Sequence, residues 1–215
     1  MDFDFDVAIF DMDGTLLDTM RYWRYTSLEY LLAHQLPVRD DILLRMFSTS
    51  SRKLLMEALA REGVEVDRAA LVSELEGFMR RHYLYDAHFK TPSVPAFLQK
   101  LKQAGVRMCV ATGSPRAYAA EGLARLGILD FFEFVTDNYE GAHTKDQPGF
   151  FEALLKRLEA PAQRCWVFED ALYAMRSAKA AGMRVCAIEE AAQAADREAI
   201  IALADVYIRD YSELM

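Results

Sequence analysis

Residues 5–18 read FDVAIFDMDGTLLD, an apolar run that breaks into two aspartates separated by a single residue, Asp11 and Asp13, followed by Gly14 and Thr15. Val7, Ala8, Ile9 and Phe10 lack the alternation of a half-solvated strand, so the run predicts a parallel strand covered on both faces. Two carboxylates at the end of such a strand repel one another unless a proton or a cation intervenes. A D-x-D-G start also opens calcium loops, but an EF-hand needs Gly at the sixth position and Glu at the twelfth, where this chain has Leu16 and Tyr22.

Working outward, near-continuous apolar runs recur at residues 106–111, 132–135, 165–168, 185–188 and 206–208. Helical patterns lie between them, at Arg116 to Leu126 before Gly127, Pro148 to Leu158 before Pro161, and Ala171 to Ala181 before Gly182. This β-α-β alternation predicts an α/β fold with a Rossmann-like, doubly wound parallel sheet. The first connection breaks the rhythm. Residues 17–91 show no strand pattern but have helical periodicity at 21–34, 40–47, 52–61 and 67–83. A crossover needs only a dozen or so residues plus loops, so an inserted helical domain is expected at 17–91. The core is then 1–16 and 92–215, re-entered through Thr91-Pro92-Ser93-Val94-Pro95, whose two prolines stiffen the return and restart a helix.

Composition narrows the function. The chain has 215 residues, 53% hydrophobic, enough for a sizeable core without staples, and a net charge of −8 that disfavours nucleic acid as partner. Cys109, Cys165 and Cys186 sit in apolar runs without CxxC spacing and read as buried reduced thiols. No run approaches the length of a membrane span, and the start MDFDFD is acidic where a secretory signal is basic. A cytoplasmic protein without a membrane partner, monomeric or weakly dimeric, is expected. Asp2, Asp4 and Asp6 read as a solvated entry to the first strand.

In an open parallel sheet, ligands bind beyond the carboxyl ends of the strands, where strand order reverses. The polar residues at those ends are Asp11 and Asp13, then Thr112-Gly113-Ser114, then Asp137 leading to Lys145, then Glu169-Asp170. If the first and fourth of these strands are neighbours, Asp11, Asp13 and Asp170 converge, with Glu169 beside them, into a hard oxygen site suited to Mg²⁺ and a phosphate. Thr112 offers a hydroxyl, Gly113 permits close backbone approach, and the helix that follows offers N-terminal amides to an anion. Lys145 adds a point charge. The set suits stabilisation of a trigonal phosphoryl group.

These residues resemble the haloacid dehalogenase-like phosphatase superfamily. Its four motifs are matched in order by Asp11-Met12-Asp13-Gly14-Thr15-Leu16, Thr112-Gly113-Ser114, Lys145 and Glu169-Asp170, and the helical insertion is similar to the family's first-type cap. The segments VRMCVATGSPR and VFEDALYAMRSAKAAGMRV look like the branch of β-phosphoglucomutase and phosphoglycolate phosphatase. The resemblance implies Mg²⁺-dependent hydrolysis of a small phosphorylated metabolite through an aspartyl-phosphate. Asp11 would be the nucleophile, and Asp13 the acid and then the base. The implied metal ligands are Asp11, the Asp13 carbonyl and Asp170, with Glu169 acting through water; Thr112, Gly113 and Lys145 would bind the phosphate.

Three further readings follow from the resemblance. The second Asp disfavours dehalogenation. A phosphomutase is the alternative activity, but the His of the mutase pattern is missing from Asp18-Thr19-Met20-Arg21. An inactive phosphate-binding or regulatory relative is another alternative, motivated by Lys145-Asp146-Gln147-Pro148, where the family has Pro directly after Lys and where Asp146 stands to compete for the Lys charge. Ala171 and Ala174 replace an expected Ser and Gly, and His143 is a loop residue expected to be exposed. Substrate choice is assigned to the insertion. There Ser48-Thr49-Ser50-Ser51-Arg52-Lys53 reads as a helix N-cap with Arg52 as substrate-binding cation, weighed evenly against a solvated face. Tyr22, Trp23, Tyr25 and Tyr30 read first as core and second as a stacking surface, and Arg80-Arg81 as a solvated face.

Overall fold

The computed structural model describes residues 4–46, 49–138 and 140–215. Asp2, Phe47 and Ser48, to which the sequence assigned a strand entry, a helix end and a capping loop, lie outside the described residues. Contacts divide the chain into two compact units, one of residues 1–18 and 88–215 and one of residues 19–87.

The first unit is built on strand β1, Val7–Phe10, all four residues of which are buried. After the helical unit the chain continues through α5 (Val94–Gln103), β2 (Arg107–Thr112), α6 (Arg116–Arg125), β3 (Val135–Asp137) and α7 (Pro148–Leu158), then β4 (Cys165–Glu169), α8 (Leu172–Ala180), β5 (Arg184–Ile188), α9 (Arg197–Leu203) and β6 (Val206–Ile208). The sheet order is β3-β2-β1-β4-β5-β6, and every pairing is parallel. Strand order reverses beside β1, which places the end of β1 next to the end of β4.

Period-two alternation along β1 sorts the core onto two faces. Val7 and Ile9 join Cys109, Val167 and Val185 under Phe151, Leu154, Met175 and Ile200, contributed by α7, α8 and α9. Phe10 instead stacks on Phe168 at 4.5 Å between ring centroids, and Phe97 of α5 meets Phe168 and Tyr211 at 5.5 and 5.0 Å. The three cysteines are buried and unbridged, and burial raises the thiol pKa at Cys165 to about 11. No helix among the described residues is long and apolar enough to cross a membrane.

Two boundaries differ from expectation. The third strand occupies Val135–Asp137 rather than residues 132–135, because Leu129–Phe131 forms a 3-10 turn and Phe132 packs edge-on against Phe10. The core unit retains Leu17, Asp18 and the return at 88–91 because these linkers pair with each other. Asp18 N donates to His88 O at 3.0 Å, Lys90 N donates to Leu16 O at 2.8 Å, and Leu17 bridges Phe89 antiparallel.

The second unit contains α1 (Met20–Ala33), α2 (Asp40–Arg45), α3 (Ser51–Arg61) and α4 (Arg68–Tyr85). Its core gathers Tyr30, Leu31, Ile42, Leu55, Leu59, Leu71 and Leu75. Asp67 caps α4 by accepting from Ala70 N at 2.8 Å. Ser50 occupies the corresponding position of α3 without a side-chain cap bond, which departs from the expected hydroxyl cap; Ser51 Oγ instead accepts from Ser27 N at 2.9 Å.

Candidate active site

The loop after β1 folds on itself. Asp11 N continues the ladder by donating to Phe168 O at 2.9 Å, after which Met12 O accepts from Leu16 N and Leu17 N at 3.0 and 2.9 Å. Gly14, at φ +88°, takes the left-handed conformation that lets its N–H reach Leu17 O at 2.8 Å. Tyr211, fully buried, donates its hydroxyl to Thr15 O at 3.2 Å and braces the loop from the C-terminal turn. That turn is locked by a reciprocal box in which Asp210 caps Ser212 N and Glu213 accepts from Asp210 N.

The neighbouring ends of β1 and β4 bring three carboxylates together. Asp11, Glu169 and Asp170 are buried, and each offers an oxygen within 4.8 Å of the others. Lys145, only 1% exposed, donates to Asp11 Oδ1 at 2.6 Å and to Glu169 Oε2 at 2.8 Å. Burial alone would lower the pKa of this ammonium, but Asp11 and Glu169 outweigh it and raise it. Burial also pushes Glu169 up to about 7, with Asp11 adding to the rise and Lys145 opposing it. Asp170 is raised well above the carboxylate range by burial and then by Glu169 and Asp11.

One ammonium thus faces three buried acids, and Asp11 Oδ2 is buried with no hydrogen-bond partner. Both observations fit a hard divalent cation, which takes carboxylate oxygens and favours their ionised form against burial and mutual repulsion. Glu169 is committed within the protein. Its second oxygen accepts from Ala171 N at 3.2 Å, so its direct work is to hold Lys145 and the turn into α8.

Asp13 is tethered differently. Ser114 Oγ donates to Asp13 Oδ2 at 2.7 Å, and Ser114 N donates to Thr112 Oγ1 at 3.0 Å. Thr112 therefore accepts from the backbone and keeps its own hydroxyl proton to donate. Ser114 received no role from the sequence, although it adjoins the Thr112-Gly113 pair. At Gly113 an added Cβ would meet Asn138 Nδ2 at 3.6 Å, an ordinary contact, so the protein's own packing does not require glycine there. The expected anion-binding amides of α6 are partly taken: Pro115 has no N–H, and Arg116 N donates to Asp137 Oδ2 at 2.6 Å.

The loop carrying Lys145 also corrects an expectation. Asp146 is exposed and accepts from Thr144, while the Lys145 ammonium is committed to Asp11 and Glu169, so Asp146 does not compete for it. Asn138 Oδ1 anchors Lys145 N at 3.0 Å. His143 is exposed, as expected, pairs with Gln147 at 3.1 Å, and lies so close to Gly149 that a Cβ there would come within 2.7 Å of its ring.

Arg52 lies in the helical unit, exposed in the first turn of α3. Of the aromatic residues of α1, Tyr25 is exposed, and two are occupied within that unit. Tyr30 is core, and Tyr22 stacks on His82 at 4.3 Å and donates to Asp86 O at 3.1 Å.

Comparison with known proteins agrees with this architecture. The family described as haloacid dehalogenase-like hydrolase matches residues 5–182. Fructose-1-phosphate phosphatase YqaB of Escherichia coli is 30% identical over 187 residues, covering 81% of this chain and 92% of that protein. Validoxylamine A 7'-phosphate phosphatase of Streptomyces hygroscopicus subsp. limoneus is 26% identical over 220 residues, covering 98% and 96%. Among solved structures, a point mutant of CbbY from Rhodobacter sphaeroides in complex with xylulose-(1,5)bisphosphate superposes with a TM-score of 0.77 at 21% identity, covering 98% of this chain and 96% of that one. A putative β-phosphoglucomutase from Thermotoga maritima also reaches 0.77 at 21% identity, with 94% of each chain covered. At these identities the structures speak to the fold, and the family match speaks to descent: the chain belongs to the haloacid dehalogenase-like hydrolase family.

Proposed function

We propose that this chain is a Mg²⁺-dependent phosphomonoesterase that hydrolyses a small phosphorylated sugar or sugar-like metabolite through an aspartyl-phosphate on Asp11. The observation that carries the proposal is the different partnering of the two aspartates. Asp11 clusters with Glu169 and Asp170 beside Lys145 with one buried oxygen unpartnered, whereas Asp13 accepts from the Ser114 hydroxyl. One carboxylate is thereby kept for phosphorus and the other for protons.

In the first half-reaction an Asp11 oxygen forms a bond to phosphorus as the ester P–O bond breaks, and Asp13 gives its proton to the departing alkoxide. In the second, Asp13 takes a proton from water as the water oxygen bonds to phosphorus and the Asp11–phosphorus bond breaks, releasing phosphate. Lys145 holds Asp11 in place and faces the charge on the phosphoryl oxygens, to which the Thr112 hydroxyl donates. Asp11 and Asp170, with the Asp13 carbonyl, would hold Mg²⁺, whose bound charge offsets that of the phosphoryl group. Arg52, an exposed cation of the helical unit, is proposed to engage the rest of the substrate. Support for a sugar phosphate comes from the substrates named for the similar phosphatases.

Phosphate release from a panel of phosphorylated sugars, nucleotides and small acids tests the proposal. Turnover of at least one sugar phosphate with Mg²⁺, abolished by EDTA, is expected. No release from any member, p-nitrophenyl phosphate included, would overturn it.

A further inference from the structure

Gln193 is a group beside the carboxylate cluster that no strand-end motif supplies. It lies in the 3-10 turn Ala191–Asp196 after β5, and its Nε2 donates to Asp170 Oδ2 at 3.2 Å. The amide nitrogen, a donor only, is thus the group turned toward Asp170.

One side of Gln193 faces open space. With Lys90 and Glu190 it lines a cavity of about 490 Å³, which leaves the side chain room to turn away. Hydrogen bonds hold its turn. Gln193 N donates to Glu190 O at 3.0 Å, Ala192 N donates to Glu190 Oε1 at 2.8 Å, and Lys90 Nζ donates to Glu190 Oε2. The Lys90 and Glu190 side chains are only 12% and 6% exposed, so the pair is shielded from water. Lys90 N in turn donates to Leu16 O at 2.8 Å, at the end of the loop that carries Asp11 and Asp13. A continuous set of contacts therefore runs from that loop through Lys90, Glu190 and Gln193 to Asp170.

We infer that Gln193 is a positioning residue for Asp170: its amide fixes one carboxylate oxygen and leaves the other for the cation, while the Lys90–Glu190 pair holds the Gln193 turn in place. The inference rests on the proposed metal-dependent reading of the site. Outer partners of metal-binding carboxylates act through ligand orientation, and their loss typically lowers metal affinity about 10- to 100-fold.

The test is calorimetric titration of the metal-free full-length protein with Mg²⁺ alone, for wild type, Gln193→Met, Gln193→Ala and Lys90→Met, with melting temperatures in EDTA as the control for folding. Expected is a Kd raised about tenfold in both Gln193 variants and by less in Lys90→Met, with Gln193 variants that melt like wild type in EDTA and regain most of kcat at saturating Mg²⁺. An unchanged Kd in both Gln193 variants beside a wild type that binds Mg²⁺ overturns the role of Gln193 and leaves the phosphatase reading standing. A wild type that binds no Mg²⁺ overturns both. A lower melting temperature with unchanged Kd identifies a structural bond only and also overturns the inference.

Discussion

The two units of the chain treat their polar side chains in opposite ways. In the α/β unit, ionisable groups are buried at the strand ends with an incomplete set of partners: Lys145 serves Asp11 and Glu169, and Asp11 Oδ2 has none. In the helical unit, ionisable side chains pair with one another, and among the described residues the unpartnered buried atom there is a neutral hydroxyl, Ser27 Oγ. His82 is flanked by Glu29 and Asp86 at 2.6 and 2.7 Å with Tyr22 stacked on it, and Arg61 grips Asp41 at 2.9 Å through both nitrogens. An arrangement that closes on itself calls for a structural account, and one that crowds three buried acids around an unpartnered carboxylate oxygen calls for a ligand. The chemistry is accordingly assigned to the first unit.

The largest effect that can break this contrast is at Asp11. Asp11→Asn is expected to lower kcat by about four orders of magnitude, measured by phosphate release. It should melt close to the wild-type temperature in EDTA, because relief of the crowding with Glu169 and Asp170 offsets the weakened pair with Lys145, which keeps Glu169. A variant that lost both activity and stability would mark Asp11 as a structural residue. The helical unit should respond the other way. Leu55, with no exposed surface in that unit's core, is expected to cost about 2–5 kcal/mol of stability when changed to Ala, read by urea unfolding. The Mg²⁺ affinity of the folded protein should be unchanged, since the carboxylate cluster lies in the other unit.

The smallest effect concerns a polar group of the α/β unit that is fully partnered. Asp205 accepts from Lys179 Nζ at 2.8 Å and from Val185 N at 2.7 Å. Burial acts to raise its pKa, but these two donors outweigh it and hold the carboxyl below its ordinary value. A lowered folded-state pKa contributes stability above the unfolded value of about 4, and the contribution disappears as the pH falls through the folded value. Asp205→Asn should therefore cost no more than about 1 kcal/mol at neutral pH, given the part exposure of the pair, and nothing in acid, as followed by melting temperature against pH.

What could be read beforehand divides along a physical line. Strand β1 and its aspartates were legible because an apolar run and the residues at its end are local facts. The position of Asp11, Glu169, Asp170 and Lys145 around one point followed from strand order. The third strand was misplaced because Phe132 supplies core volume beside Phe10 rather than ladder, and apolar character alone does not distinguish the two. Gln193 was invisible. It meets Asp170 across 23 residues through the pairing of β4 with β5, and nothing about AAQAAD announces a carboxylate partner. Asp146, alarming beside Lys145 in the sequence, is harmless because consecutive residues of a loop need not share a direction, and its partner is Thr144.

The sequence by itself determined the α/β alternation, the long helical insertion after the first strand and the identity of the acids and the base at the strand ends. These depend on periodicity and chain order, which backbone geometry converts into structure locally. Only the tertiary structure decided which charges meet. Lys145 bridges Asp11 and Glu169, Ser114 holds Asp13, Asp137 occupies the α6 amide, and Gln193 reaches Asp170. Such pairings depend on hydrogen-bond geometry at the scale of tenths of an ångström, which is set by how neighbouring strands and their loops pack and by no local property of the chain.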